Sequence, residues 1–159
     1  MKPEIYAIDF GTSNSLLAAA SKEELFSPIA LDPDAKDPTI LRSVLFFPDP
    51  SRCHFGEAAI REYVAQDMEG RLLRSIKKFL PMRSFLGTFV NDRALYLEDI
   101  IATYLGEMRR RANAKLDCEV TSVLLGRPAR FSADDAEDVF AEGRLRTAAE
   151  RAGFKRVEF

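Results

Sequence analysis

The stretch Ile8-Asp9-Phe10-Gly11-Thr12-Ser13-Asn14-Ser15 decides how the rest of this chain is read. An apolar run over residues 5–9 ends on a carboxylate, and a small, hydroxyl-rich turn follows at once. Residues 15–20 return as a second apolar run, so the whole reads as a β-hairpin. Gly11 has no Cβ, and the expectation is that its backbone takes unusual dihedral angles and lets an anion approach closely. Backbone N–H groups in such a turn can converge on phosphate oxygens, and the hydroxyls of Thr12 and Ser13 add donors. Asp9 would then hold Mg²⁺, directly or through its water shell. The same residues also suit a plain hairpin turn closed by an Asx or Ser/Thr cap.

Outward from the hairpin, residues 25–31 read as a third strand. A Pro- and Asp-rich loop over residues 31–38 follows. Residues 43–47 read as a strand stopped by Pro48-Asp49-Pro50-Ser51. Residues 56–66 have helical spacing, with Ala59, Ile60, Tyr63 and Val64 on one face. Residues 72–80 are basic and apolar at once. Residues 98–116 form the clearest helix, with Ile100, Ile101, Tyr104, Leu105, Met108 and Ala112 at three- and four-residue steps. Residues 120–125 read as a buried strand ending at Gly126-Arg127-Pro128. Ser132 is the expected N-cap of the last helix, with Asp134 and Asp135 in its first turn. Gly143 should weaken that helix by roughly 1 kcal/mol and either kink it or divide it into two pieces. Gly153 should end it, and residues 156–159 begin a final strand. The order predicts an α/β layer from residues 1–35 and 98–159, interrupted by an inserted α+β subdomain over residues 36–97.

Composition removes several function classes. At 159 residues the chain can bury one ordinary core. A formal net charge of -2 exerts no overall pull toward nucleic acid or an anionic membrane. No apolar run approaches the ~20 residues of a membrane span, and the N-terminus reads as a strand rather than a secretion signal. Cys53 and Cys118 lie in no CxxC pair, which suits reduced thiols in a cytoplasmic protein. His54 is the only histidine, so a His-based metal site or a Ser-His-Asp triad has almost nothing to be built from. Arg109-Arg110-Arg111 falls on the outer end of an amphipathic helix and reads as a solvated face rather than a nucleic-acid contact.

The whole string Asp9-Phe10-Gly11-Thr12-Ser13-Asn14-Ser15 resembles the first phosphate motif of the 70-kDa heat-shock (DnaK-type) chaperones, within the actin and hexokinase superfamily. Further likenesses follow in chain order. Ser43-Val44-Leu45-Phe46-Phe47 resembles the family's "PS-x-V-x-F" strand, with Arg42 where a proline is usual. Phe55-Gly56-Glu57-Ala58-Ala59 is similar to its "VG-x-x-A" segment, and Ser75-Ile76-Lys77-Lys78-Phe79-Leu80 to the segment carrying its catalytic lysine. The stretch Val123 through Phe131 resembles "TVPAYF", and its Gly-Arg-Pro form is closer to the YegD-like branch. Ala148-Ala149-Glu150-Arg151-Ala152-Gly153-Phe154 is similar to the helix end that follows.

The resemblance implies an RNase H-like, actin-like ATPase lobe, the first half of a nucleotide-binding domain. It also implies ATP and ADP as ligands, with Mg²⁺. Asp9 matches the metal-side aspartate, and Gly11, Thr12, Ser13 and Asn14 match the phosphate turn. Lys77 matches the lysine that orients the attacking water, with Lys78 and Arg83 as neighbouring alternatives. Without the resemblance, Lys77 reads as a solvated lysine in a basic patch with Arg71, Arg74 and Lys78. Pro128 matches the proline that couples the ATP site to the rest of a chaperone, and Arg130 stands where that family has a tyrosine. The family's second phosphate motif, adenosine pocket and substrate-binding domain have no counterpart before Phe159. The implied partners are therefore a second ATPase lobe, client polypeptides and co-chaperones. Self-association through the C-terminal strand is expected where the second lobe would otherwise cover it. Two other readings are a nucleotide-independent interaction module and a sugar-kinase or cell-shape relative. A sugar kinase would need a general-base aspartate, for which no clear candidate stands out.

Overall fold

Residue alternation in two neighbouring strands sets which way the main sheet faces. β1 (Ile5–Phe10) buries Tyr6, Ile8 and Phe10 and leaves Ala7 and Asp9 exposed. β2 (Asn14–Ala20) buries Ser15, Leu17 and Ala19 and leaves the alternate residues partly accessible. These two strands pair antiparallel from Ile5 opposite Ala20 to Phe10 opposite Ser15, as the hairpin reading requires. The computed structural model describes residues 2–159.

Three more strands complete that sheet: β3 (Leu41–Arg42), β9 (Ser122–Leu125) and β10 (Arg156–Glu158). The order is β10-β9-β1-β2-β3, with β9 and β10 parallel to β1 and with β2 antiparallel to both its neighbours. The chain is therefore an α/β fold with a mixed sheet. Two long helices, α2 (Leu97–Leu116) and α3 (Asp135–Arg151), join one core with the buried face of the sheet. In α2 the residues Ile100, Ile101, Tyr104, Leu105, Met108 and Ala112 are all buried. Each large side chain so buried contributes roughly 1.5–3 kcal/mol, so the buried face of α2 contributes substantially to cohesion.

Residues 36–97 add two small sheets. β4 (Val44–Asp49) lies between β5 (Arg52–Phe55) and β6 (Arg71–Arg74), and α1 (Glu57–Ala65) packs against β4. β7 (Gly87–Val90) and β8 (Arg93–Tyr96) form a hairpin that leads directly into α2. Val44, Phe46 and Ala59 make a small cluster of their own, while Leu45, Phe47, Phe55, Ile76, Leu80 and Val90 join the main core.

Several local expectations are corrected. Residues 25–31 do not form a third strand. Phe26 N–H donates to the Ala19 carbonyl at 2.9 Å and Ile29 N–H to that of Leu17 at 2.8 Å, but Pro28 between them has no N–H to continue a ladder. The outer edge of β2 is covered by that segment at one end and by β3 at the other. Val64 is exposed rather than on the buried face of α1. The N-cap of α3 is Asp134, whose carboxylate accepts from Glu137 N–H at 2.9 Å; Ser132 caps one step earlier, accepting from Asp134 N–H. The helix runs unbroken through Gly143. The triple arginine is not a uniformly solvated face. Arg109 donates to the Val120 carbonyl and Arg111 to that of Leu31, which leaves Arg110 as the exposed member.

At the far edge of the sheet β10 pairs with β9 alone. Arg146 on α3 donates to the carbonyl of Val157 at 2.8 Å and lies 5.0 Å from the Phe159 ring.

Candidate phosphate-binding turn

The turn between β1 and β2 is fixed by small groups. A Cβ on Gly11 would lie 2.0 Å from the Asn14 carbonyl oxygen, so only glycine fits there. Its φ is not positive, unlike those of Gly56, Gly70 and Gly153. The expected unusual dihedral is therefore absent, and the glycine is required by backbone crowding within the turn.

Ser43, at the head of β4, staples the turn from the inserted segment. Its hydroxyl donates to the Gly11 carbonyl at 2.7 Å, and its N–H donates to the Ser13 carbonyl at 2.9 Å. With that proton committed, the 2.9 Å contact with the Ser15 hydroxyl has Ser15 as donor. Both serines are buried. Behind them Tyr104 on α2 donates to the carbonyls of Leu41 and Arg42 at 3.1 and 3.0 Å. Burial pushes the Tyr104 phenol up to about 12.

Lys77 reaches the same place from the end of β6. Ser75 takes a left-handed conformation, φ 57°, and swings the chain into a 3₁₀ turn over Ile76–Phe79. Lys77 Nζ then donates to the Phe10 carbonyl at 2.5 Å and lies 5.9 Å from the Phe10 ring. Burial lowers its pKa, and the nearby charge of Asp9 opposes that shift. Lys78 is exposed. Arg83 goes elsewhere: it donates to the Ala136 carbonyl at 3.3 Å and stacks 4.5 Å from the Phe140 ring. Of these three candidates, Lys77 is the one brought to the turn.

One guanidinium holds the loop that follows Lys77. Arg144 on α3, 5% exposed, donates to Glu98 at 2.8 Å and to the carbonyls of Phe79, Met82 and Phe85 at 3.2, 3.2 and 2.9 Å. Sequence reading missed it. The signal was its position, because Ala141, Leu145 and Ala148 share its buried stripe and an arginine there needs partners.

Asp9 is exposed at the end of β1, beside Gly126. Gly126 N–H donates to the Ile8 carbonyl at 2.9 Å, which brings the start of the residue 126–131 segment to the turn. Pro128 and Arg130 lie further along it. The Pro128 carbonyl accepts from Arg127 Nε at 3.0 Å, and Arg130 donates to the Ser132 and Ala133 carbonyls and to Asp135. Arg127 clamps this segment to α3 through Asp138, at 2.8 and 2.9 Å, and through Glu142. Asp138 also accepts from Phe131 N–H at 2.6 Å. Arg127, and next the Phe131 amide, hold the Asp138 carboxyl below the ordinary range.

Among the described residues no three of His, Cys, Asp and Glu gather as a metal site. Mg²⁺ needs less than that, since it commonly takes one or two carboxylates and completes its shell with phosphate oxygens and water. A lone accessible carboxylate beside the candidate phosphate turn suits that donor set. Cys53 and Cys118 are free thiols, and burial pushes Cys53 up to about 12, which leaves it unreactive. No helix among the described residues is long and apolar enough to cross a membrane. No protein-family model matches the chain.

Proposed function

We propose that this chain is the first lobe of an ATP-binding, ATP-hydrolysing chaperone of the 70-kDa heat-shock type, with an actin-like, RNase H-like core. The observation that carries the reading is the 2.5 Å contact from Lys77 to the carbonyl of Phe10, the residue before Gly11, across 67 positions of sequence. A plain hairpin turn has no need of a half-buried ammonium at its base. The sheet order, with two strands parallel to β1 beyond an antiparallel hairpin, supports the same reading.

In this proposal the turn's N–H groups and the hydroxyls of Thr12 and Ser13 hold the terminal phosphates of ATP. Lys77 orients the attacking water and offsets charge developing on the γ-phosphoryl oxygens. Asp9 would hold Mg²⁺, which neutralises phosphate charge when bound. Pro128 and Arg130 lie on the segment that would carry the nucleotide state outward. The wider partners, a second lobe, clients and co-chaperones, and a cytoplasmic location belong to the same proposal.

Titration of this chain with Mg-ATP, followed by amide NMR, tests the site. Shifts at Thr12, Ser13 and Asn14 with weak affinity and no turnover are expected, because half a phosphate cage lacks the closed site in which charged donors act strongly. Unmoved turn amides at millimolar Mg-ATP would sink the reading.

A second reading, a nucleotide-independent binding module, draws on the other face of the sheet. Ala7, Leu16, Ala18, Pro28 and Leu124 line a shallow, almost wholly apolar depression there. Shifts confined to those residues when a candidate partner is added, with none on adding Mg-ATP, would favour it.

A further inference from the structure

Three cations approach the β1–β2 turn, Lys77, Arg74 and Arg42, and the proposed ATP site uses only the first. Lys77 reaches the base of the turn at Phe10. Arg74, three residues earlier, ends β6 and lines a groove of about 590 Å³ on which Thr12, Ser13 and Asn14 also open. Lys77 is not part of that groove. The left-handed Ser75 separates the two: the chain turns after Arg74, so one basic segment serves two places.

The charge balance of the groove is unusual for this molecule. Arg42 and Arg74 both line it, and no Asp or Glu does. Arg42 pairs with Glu57 at 2.7 Å. The Arg74 side chain makes no hydrogen bond or ion pair with any described residue. Arg127, Arg144 and Arg111 are held by carboxylates, whereas Arg74 is not. A guanidinium without a counter-charge, facing hydroxyl and amide donors across a groove free of acids, matches a tetrahedral oxyanion. Val44, Ile60 and Leu72 supply apolar lining beneath the two exposed arginines.

We propose that this groove is a second oxyanion subsite, formed by Arg74 and Arg42 with the turn residues Thr12–Asn14. It takes inorganic phosphate or the terminal phosphate of a phosphate ester. It rests on reading the turn as phosphate-binding, and in a hydrolytic cycle it is a place for phosphate beside the turn, apart from Lys77.

The test is a titration of the ¹⁵N-labelled chain with sodium phosphate, set against sodium chloride at equal ionic strength. ADP and ATP form further arms that separate free phosphate from an esterified one. The readouts are the Arg74 Nε–Hε signal and the amides of Thr12, Ser13 and Asn14. Phosphate should shift these signals saturably where chloride does not. R74Q should weaken the effect by about tenfold and R74K by less, because an ammonium keeps the charge but loses the fork. K78M, at an exposed lysine outside the groove, should leave phosphate binding there within about twofold. Equal phosphate affinity in R74Q and the parent, or identical shifts with chloride, overturns the proposal. Loss in K77M but not in R74Q overturns it while leaving the turn as a phosphate site. Absence of any phosphate, ADP or ATP effect overturns both readings.

Discussion

The β1–β2 turn and the loop of residues 79–85 lie on either side of Lys77 and are fixed in opposite ways. The turn is held by several small uncharged groups, the glycine contact at Gly11, two buried serine hydroxyls and one backbone amide, with the Lys77 ammonium added at its base. The loop's carbonyls are gathered at one point, the Arg144 guanidinium, which serves Glu98 and four carbonyls together, alongside the buried Leu80, the Phe79–Phe85 stack and the Arg83 contact to Ala136. A distributed support should fail by degrees, and a concentrated one more abruptly. The first also depends little on ionic strength, because no ion pair takes part.

The largest effect is expected from Arg144→Met. It leaves several carbonyls and Glu98 without a donor, and the loss should be about 3 kcal/mol or more in urea unfolding. Arg144→Lys should recover only part, since an ammonium cannot reach that spread of acceptors. A loss under about 1 kcal/mol for Arg144→Met would mean that the loop's other supports suffice and that the contrast with the turn is false.

Gly11→Ala comes next. Its methyl group would meet the Asn14 carbonyl, and the turn must open to admit it, at about 2 kcal/mol. The same variant should abolish any amide response to Mg-ATP. Ser43→Ala is smaller, about 1–2 kcal/mol, because Gly11 and Ser15 lose a partner but the backbone bond from Ser43 to Ser13 survives. Equal losses for Ser43→Ala and Gly11→Ala would show that the serine staple matters as much as the glycine.

On activity, Lys77→Ala in a chain carrying both lobes should lower hydrolysis by on the order of 10²-fold while ATP binding largely persists. Loss in Lys78→Ala instead would move the active lysine by one residue.

The smallest effect concerns the 126–131 segment, which Arg127 fixes by ion pairs rather than by buried groups. Asp138 has its folded pKa depressed, so its contribution is present above the ordinary aspartate value near about 4 and is lost as pH falls through the depressed value. Phe131 amide protection should be high at neutral pH, fall on acidification below about pH 4, and fall with salt where Asp138 is ionised. Arg127→Gln should remove both dependences with little change in global stability. The turn amides should show neither dependence.

Legibility followed the range of each interaction. The hairpin, the long α2 and the β9–α3–β10 succession have periodic patterns within a few residues, and these elements are where the sequence reading put them. The edge of β2 was not readable, because Pro28 and the short β3 divide it between two segments far apart in the chain. The α3 cap was misplaced by two residues, since Ser132, Asp134 and Asp135 are all competent and only the backbone path chooses among them. Lys77 emerged from the sequence only through the family likeness, as its contact spans 67 positions. Ser43 and Arg144 act on carbonyls, which any residue can offer, so no side-chain pattern announces their partners.

The tyrosines that support the site also give it an optical signal. The chain has four tyrosines and no tryptophan. Two of the four, Tyr6 and Tyr104, are fully buried, and their hydroxyls are committed to Asn113 and to the Leu41 and Arg42 carbonyls. Burial raises both phenols, Tyr104 to about 12. Their folded pKa values exceed the unfolded value near about 10, so the stability they contribute is intact below that pH and disappears as pH climbs through the folded values. Their near-ultraviolet ionisation step should therefore coincide with opening of the core. Because Tyr104 braces the strand that leads to Ser43, alkaline absorbance becomes a label-free gauge of whether the floor beneath the turn is still in place.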